Sequence, residues 1–167
     1  MRLLCLLSIA YATVLDDLAR ESPASLSKSI SFLREDYDFM ARVLPQGTHA
    51  AVFLPTNVSW PLLRQEAHKP QEERIASDTQ RKLTLQHFVE LPFAGGLATL
   101  KMLAEANGGI LRTMGGSNLR LGDDGHACSG RVGEDFQFEQ AASSCFKFKA
   151  VKMNVGSFDV YSADYTQ

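Results

Sequence analysis

Cysteine and histidine side chains in the C-terminal half have the most definite chemistry. If Cys5 is removed with a signal peptide, Cys128 and Cys145 remain as an even pair, which in an exported chain is ordinarily a disulfide because the oxidising compartment preserves the bond. Closing this loop would stabilise the fold by roughly 3 kcal/mol in the chain-entropy model. The alternative is a metal site built from His126, Cys128 and Cys145, which lacks the paired ligand spacing of zinc sites. We predict the disulfide, and neither a metal nor another cofactor.

His87 is the histidine best placed for a functional role, because its neighbours Leu83 and Phe88 are apolar and predict an inward helix face. A lone histidine on such a face is usually a core side chain with one hydrogen-bond partner. The alternative is a secreted hydrolase or small-molecule-binding protein with His87 in a pocket. The sequence contains no G-x-S-x-G elbow, phosphate loop or dinucleotide motif, so no catalytic residue is predicted.

Asn57 has two competing uses. Asn57-Val58-Ser59 is an N-glycosylation sequon. The same asparagine lies where a short apolar run, Ala50 to Leu54, ends at Pro55, and there its side chain can cap a following helix. We favour capping, with glycosylation of Asn57 as the alternative.

The first twelve residues indicate export. Arg2 precedes an apolar run from Leu3 to Ala10, and Ala10-Tyr11-Ala12 matches a small-x-small cleavage site. We predict a signal peptide over residues 1–12 and a secreted or cell-surface domain over residues 13–167, the alternative being a retained first helix. The apolar run is far shorter than the roughly 20 residues of a membrane span, and no later stretch is closer to that length. A net charge of -2 disfavours nucleic-acid binding.

The hydrophobic pattern changes along the chain from helical to alternating, which predicts one α+β domain. A helix is expected from the spacing of Leu26, Ile30, Leu33, Tyr37, Met40 and Leu44. Ala50 to Leu54 is short enough for a buried strand, and Leu97 to Ala106 predicts a helix between glycine pairs. Beyond Gly109, turns at Gly115-Gly116 and Gly122 to Gly125 separate short strands. There Phe136, Phe138, Phe146 and Phe148 alternate with polar residues.

Four segments of the chain resemble the fasciclin-type (FAS1) domain, and they are distributed over most of residues 13–167. The segment from Ala51 to Asn57, with Phe53, Pro55 and Thr56, is similar to the first signature of that family, and Trp60 takes its aromatic position. The other three segments are Thr13 to Ala19, Leu83 to Val89 and Asn154 to Tyr161. The resemblance implies a twisted antiparallel sheet, or wedge-shaped β-sandwich, packed by several helices.

The function implied by the resemblance is non-enzymatic binding in cell adhesion or in the extracellular matrix. The implied partner is an extracellular or cell-surface protein or glycan, and His87 occupies a position of the family's binding motif. The family's Tyr-His pair appears here as Gln86-His87, so an integrin-binding role does not transfer. A purely structural matrix component is a further alternative, and the pattern leaves the oligomeric state open.

Overall fold

The computed structural model describes residues 16–17, 19–20, 23–35, 49–59, 87–155 and 157–165. After a 3₁₀ turn at Ala24–Leu26, helix α1 spans Ser27–Glu35, and helix α2 spans Gly96–Ala106. The strands are β1 (His49–Pro55), β2 (Phe88–Leu91), β3 (Ile110–Arg112), β4 (Asn118–Leu121), β5 (His126–Val132), β6 (Phe138–Val155) and β7 (Phe158–Tyr165).

The seven strands form one open sheet in the order β2-β1-β7-β6-β5-β4-β3. Over the described residues, the expected fold class is confirmed at the level of a mixed helix-and-strand domain with a large sheet and short helices. An entirely antiparallel sheet is not observed, because β1 and β7 run parallel, with Val52 opposite Val160. The sequence between these strands is long enough for the crossover connection that parallel pairing requires.

One face of the sheet packs against α1. The predicted helical face is confirmed for Leu26, Ile30 and Leu33, which are all buried, whereas Tyr37, Met40 and Leu44 lie outside the described residues. Their partners on the sheet are Ala50, Val52, Leu54, Phe88, Val155, Phe158 and Val160. Ala50, Val52 and Leu54 are alternate residues of β1 and lie on one face of the sheet, because successive strand side chains point to opposite sides.

The other face packs against α2, whose Leu100 and Ala104 are buried. The predicted helix from Leu97 to Ala106 is therefore confirmed. The sheet contributes Ala51, Phe53, Val89, Leu91, Leu111, Leu119, Ala127, Phe146, Phe148, Tyr161 and Ala163 to this core. Since β1 supplies buried residues to both faces, it reads in sequence as a continuous apolar run, as the predicted buried strand requires.

The predicted helix through His87 and Phe88 is wrong at those two residues. His87 lies in a turn, and Phe88 opens β2, pairing antiparallel with Val52 of β1. Phe88, Val89 and Leu91 fit a short strand as well as a helical face, because brief apolar runs do not distinguish the two. Pairing with a central buried strand decides the conformation.

The alternating C-terminal half forms the predicted hairpins. Gly115-Gly116-Ser117 lies in the turn between β3 and β4, where Gly116 adopts a φ of +90° that favours glycine. The segment from Gly122 to Gly125 joins β4 to β5. In β6, Phe146 and Phe148 are buried while Lys147 and Lys149 are exposed, which confirms the predicted dry and wet faces.

Candidate functional site

The segment that follows β1 is tied by its polar groups to the end of β7. The Thr56 N–H donates to the Ala163 carbonyl at 3.1 Å, and the Thr56 hydroxyl donates to the Asp164 carboxylate. Ser59 Oγ accepts a hydrogen bond from the Tyr165 N–H at 2.8 Å. The buried Thr56 therefore fixes the exit from β1 against a strand more than a hundred residues later in the sequence.

Asn57 caps a helix, but an earlier one than expected. Its Oδ1 accepts a hydrogen bond from the Lys28 N–H at 3.0 Å, in the first turn of α1. Its Nδ2 donates to the Ala24 carbonyl and to Ser27 Oγ, both at 3.0 Å. A glycan on Nδ2 would replace one of these N–H groups, so the geometry favours capping. Glycosylation of Asn57 stays a prediction, and residues 60–86, where a following helix was expected, lie outside the described part of the chain.

Phe53 is the centre of an aromatic cluster beneath α2. Its ring centroid lies 5.3 Å from that of Tyr161 in a stacked arrangement, and 5.7 Å from those of Phe146 and Phe148. Aromatic pairs at such separations add to the free energy of simple burial. Phe53 thus anchors β1 to β6 and β7, while Trp60 falls outside the described residues.

His87 is partly exposed and lies directly before β2. Its main-chain carbonyl accepts a hydrogen bond from the Phe53 N–H at 2.9 Å. Burial of the imidazole lowers the pKa of His87 from 6.5 to about 4, because removal of water disfavours the charged ring. The ring is therefore neutral at physiological pH, and its role in binding stays a prediction.

Acidification from pH 7 to pH 5 is expected to lower the free energy of unfolding by up to about 2 kcal/mol through His87. In the unfolded chain the imidazole takes up a proton in this interval, whereas in the folded chain its pKa of about 4 keeps it neutral. The unfolded state then binds more protons than the folded state, so the free energy of unfolding decreases as the pH is lowered. The partial exposure of His87 makes this value an upper limit.

Urea unfolding at the two pH values measures this effect. His87→Gln should remove most of the pH dependence, while His126→Gln, on β5, should retain it. Equal pH dependence in the wild type and His87→Gln would contradict the assignment.

Cys128 and Cys145 lie directly opposite each other on β5 and β6. Their Sγ atoms are 2.10 Å apart, the distance of a disulfide bond. Paired in this way, the two sulfurs are not available as thiolate ligands for the alternative metal site. His126 Nδ1 lies instead 3.0 Å from the Asp124 carboxylate.

A partly buried imidazole–carboxylate pair, His49 and Asp159, joins β1 to β7 and was not predicted. His49 Nε2 lies 3.2 Å from Asp159 Oδ2, and Asp159 is only 1% exposed. A carboxylate that orients a histidine is one part of a hydrolytic triad, which also needs a nucleophile beside the imidazole. Among the residues that the structure describes, no hydroxyl or thiol is hydrogen-bonded to His49, and the pair links β1 directly to β7. No local pattern could reveal it, because 110 residues separate the partners.

The hairpin between β5 and β6 ends in an exposed aromatic residue. Phe136 is 88% exposed and has a φ of +60°, in the left-handed region that favours glycine. The turn is closed by hydrogen bonds from Gly133 N–H to the Gln137 carbonyl and from Phe136 N–H to the Gly133 carbonyl. The prediction that Phe136 lies on the buried face of a strand is therefore wrong. The turn takes the chain out of the sheet before the alternation resumes at Phe138.

Phe136 has apolar and acidic neighbours. Val132, at the end of β5, is also exposed, and Glu134 and Asp135 precede Phe136 in the turn. We call residues 132–136 the hairpin tip. A bulky residue in left-handed conformation costs about 1–2 kcal/mol, and such strain persists at functional sites more often than elsewhere.

Comparison with known proteins leaves the family open. The chain matches no model of a known protein family, and no curated protein gives a significant match. Among the described residues, no helix is long and apolar enough to cross a membrane. Within the same ranges, no group of three or more His, Cys, Asp or Glu side chains is arranged to hold a metal ion.

Proposed function

We propose that this chain is a secreted, non-enzymatic binding domain of the fasciclin type, which mediates cell adhesion or contact with the extracellular matrix. The order strand, Pro55, Thr56, Asn57 supports the family, because these residues end β1 and fix its exit as the signature implies. The cysteine pair at disulfide distance is consistent with an oxidising compartment. In this proposal the sheet is the wedge-shaped scaffold, and the contact lies on exposed loops.

The observation that carries the binding role is Phe136 at the hairpin tip. An aromatic side chain that is 88% exposed loses hydrophobic free energy in the isolated domain, and its backbone conformation adds strain. Aromatic residues are also the side chains most often found at the energetic centre of protein interfaces. The chemistry therefore fits a partner surface that encloses the ring.

The residues beside Phe136 narrow the class of partner. Glu134 and Asp135 are both exposed and carry negative charge next to the ring. Complementary charge then favours a cell-surface or matrix protein with an apolar pocket bordered by basic residues. A sulfated glycan would be repelled by the same two carboxylates.

Cell attachment to surfaces coated with the domain tests the proposal. Phe136→Gly is expected to reduce attachment at least roughly fivefold, because it removes the anchoring ring. The same change should raise the free energy of unfolding by about 1 kcal/mol, because glycine accepts the positive φ. Opposite effects on attachment and stability separate a binding role from a structural one.

Phe93→Gly is the matched control, since Phe93 is also an exposed phenylalanine, at 53%, but lies after β2 and away from the hairpin tip. Attachment should be unchanged in this variant. Full attachment by Phe136→Gly would rule out the hairpin tip as the contact. If the wild-type coating retained no cells or matrix proteins, the adhesive function itself would be refuted.

A further inference from the structure

A cavity of about 570 Å³ opens beside α2, on the face of the sheet that carries the aromatic cluster. It lies between α2, the turn that follows that helix, the β4–β5 turn and the strands β6 and β7. Its volume falls within the range of sites that bind small organic molecules. Neither His87 nor any residue of the hairpin tip lines it, so the cavity is separate from both.

Glycines keep the space open. Gly108 and Gly109, which line the cavity, end α2 with φ values of +69° and +85°. A Cβ atom built on either residue meets no atom within 4 Å, so neighbouring side chains have not filled the room around them. Replacing either glycine by a larger residue would strain the left-handed backbone of this turn, so the space beside the turn stays unfilled.

The inner wall of the cavity is apolar and aromatic, with one unsatisfied polar group. Phe148, Tyr161 and Leu121 line it. The Tyr161 hydroxyl is buried and has no hydrogen-bond partner within the part of the chain that the structure describes, which costs free energy. Burial, together with the nearby negative charge of Asp159, raises the pKa of Tyr161 to about 12, so the phenol keeps its proton.

Charges of both signs lie around the cavity. Lys101 and Glu105, one turn apart on α2, line it together with Asp123 and Lys149. Lys149 follows Phe148 on β6, however, so its side chain points to the opposite face of the sheet. Over the described ranges, Lys101 forms no ion pair and its ammonium group remains available to an anionic group. Because Glu105 and Asp123 outweigh the single positive charge of Lys101, a small inorganic anion would gain little from these charges. Most of the binding energy must therefore come from the apolar wall.

We propose that this cavity binds a small amphipathic molecule, with an apolar ring system against Phe148 and Leu121 and an anionic head group beside Lys101. Such a ligand satisfies both features of the site, because its rings cover the apolar wall while its charge meets the unpaired ammonium group of Lys101. The proposal does not depend on the adhesive function, since the two sites share no residue.

Titration of the full chain with the fluorescent probe 1-anilinonaphthalene-8-sulfonate tests the proposal, because this probe combines fused aromatic rings with one sulfonate. We expect saturable binding of one probe per chain. Leu97 lies in the cavity wall at the start of α2 and is 38% exposed, so Leu97→Trp should occupy part of the space without overfilling the core. The affinity should fall roughly tenfold in this variant.

Met102→Trp is the control, because Met102 is on the same helix, is 48% exposed and does not line the cavity. It should bind the probe as the wild type does. The thermal unfolding midpoint of each variant shows whether the fold is retained. Binding without saturation, or equal affinity in Leu97→Trp and the wild type, would overturn the proposal.

The head group is tested by charge. Lys101→Gln should lower the affinity for the sulfonate probe roughly threefold and leave the affinity for the uncharged N-phenyl-1-naphthylamine unchanged. Inorganic phosphate should not compete with either probe. An equal loss of affinity for both probes in Lys101→Gln would refute the anionic head group. Competition by phosphate would refute the requirement for an apolar part of the ligand.

Discussion

Replacing Phe53 by alanine is expected to lower the free energy of unfolding by about 3–5 kcal/mol, the largest effect among the changes considered. The ring is buried and contacts three other aromatic rings, those of Phe146, Phe148 and Tyr161. Its removal leaves a cavity between β1 and β6 that the surrounding strands cannot close. Since domains are commonly stable by only about 5–15 kcal/mol, much of the total would be lost.

Guanidinium unfolding of Phe53→Ala and Phe53→Leu, beside the control Phe93→Ala, measures this loss. The leucine variant should fall between alanine and the wild type, because it retains part of the buried volume. Phe93 is half exposed, so its truncation should cost less than about 0.5 kcal/mol. A loss below about 1 kcal/mol for Phe53→Ala would mean that this position is not the core anchor the signature implies.

Removal of the Cys128–Cys145 pairing is expected to cost about 3 kcal/mol. The bond joins two adjacent strands and restricts the unfolded chain, which gains conformational freedom when the bond is absent. The double variant Cys128→Ser/Cys145→Ser should be less stable than the oxidised wild type by that amount. Wild type unfolded in the presence of a reducing agent should match the double variant.

Thiol labelling of the denatured, unreduced protein is the independent check. Cys5 is the one remaining cysteine of the sequence. Labelling should therefore find no free thiol if residues 1–12 have been removed, and one if they are retained. Labelling of Cys128 and Cys145 without reductant would contradict the pairing.

The sequence predicted those elements whose pattern is local. Burial of Leu26, Ile30 and Leu33 follows from helical spacing, and β1 follows from an apolar run bounded by glycine and proline. The hairpin turns follow from glycines that the left-handed backbone requires. In each case, the residues that determine the local structure are close together in the sequence.

Contacts between distant segments could not be predicted in the same way. Asn57 was expected to cap the helix that follows β1, which lies outside the described residues, and its side chain is found to cap α1 by a hydrogen bond from Lys28, 29 positions earlier in the chain. Phe88 follows a helical spacing, but its conformation is set by pairing with β1. The His49–Asp159 pair and the cavity beside α2 depend on which strands become neighbours, and hydrophobic periodicity does not specify that choice.

The position of β7 between β1 and β6 has a consequence for the order of assembly. β1 is the first of the described strands to be synthesised, but its hydrogen-bonded neighbours are β2 and β7, and β7 is the last of the described strands. Until residues 158–165 have emerged, one edge of the apolar β1 is unpaired, and both cores lack a wall. Contacts of such long sequence separation slow folding and expose strand edges meanwhile. A nascent chain of this protein should therefore depend on holding chaperones until β7 has emerged.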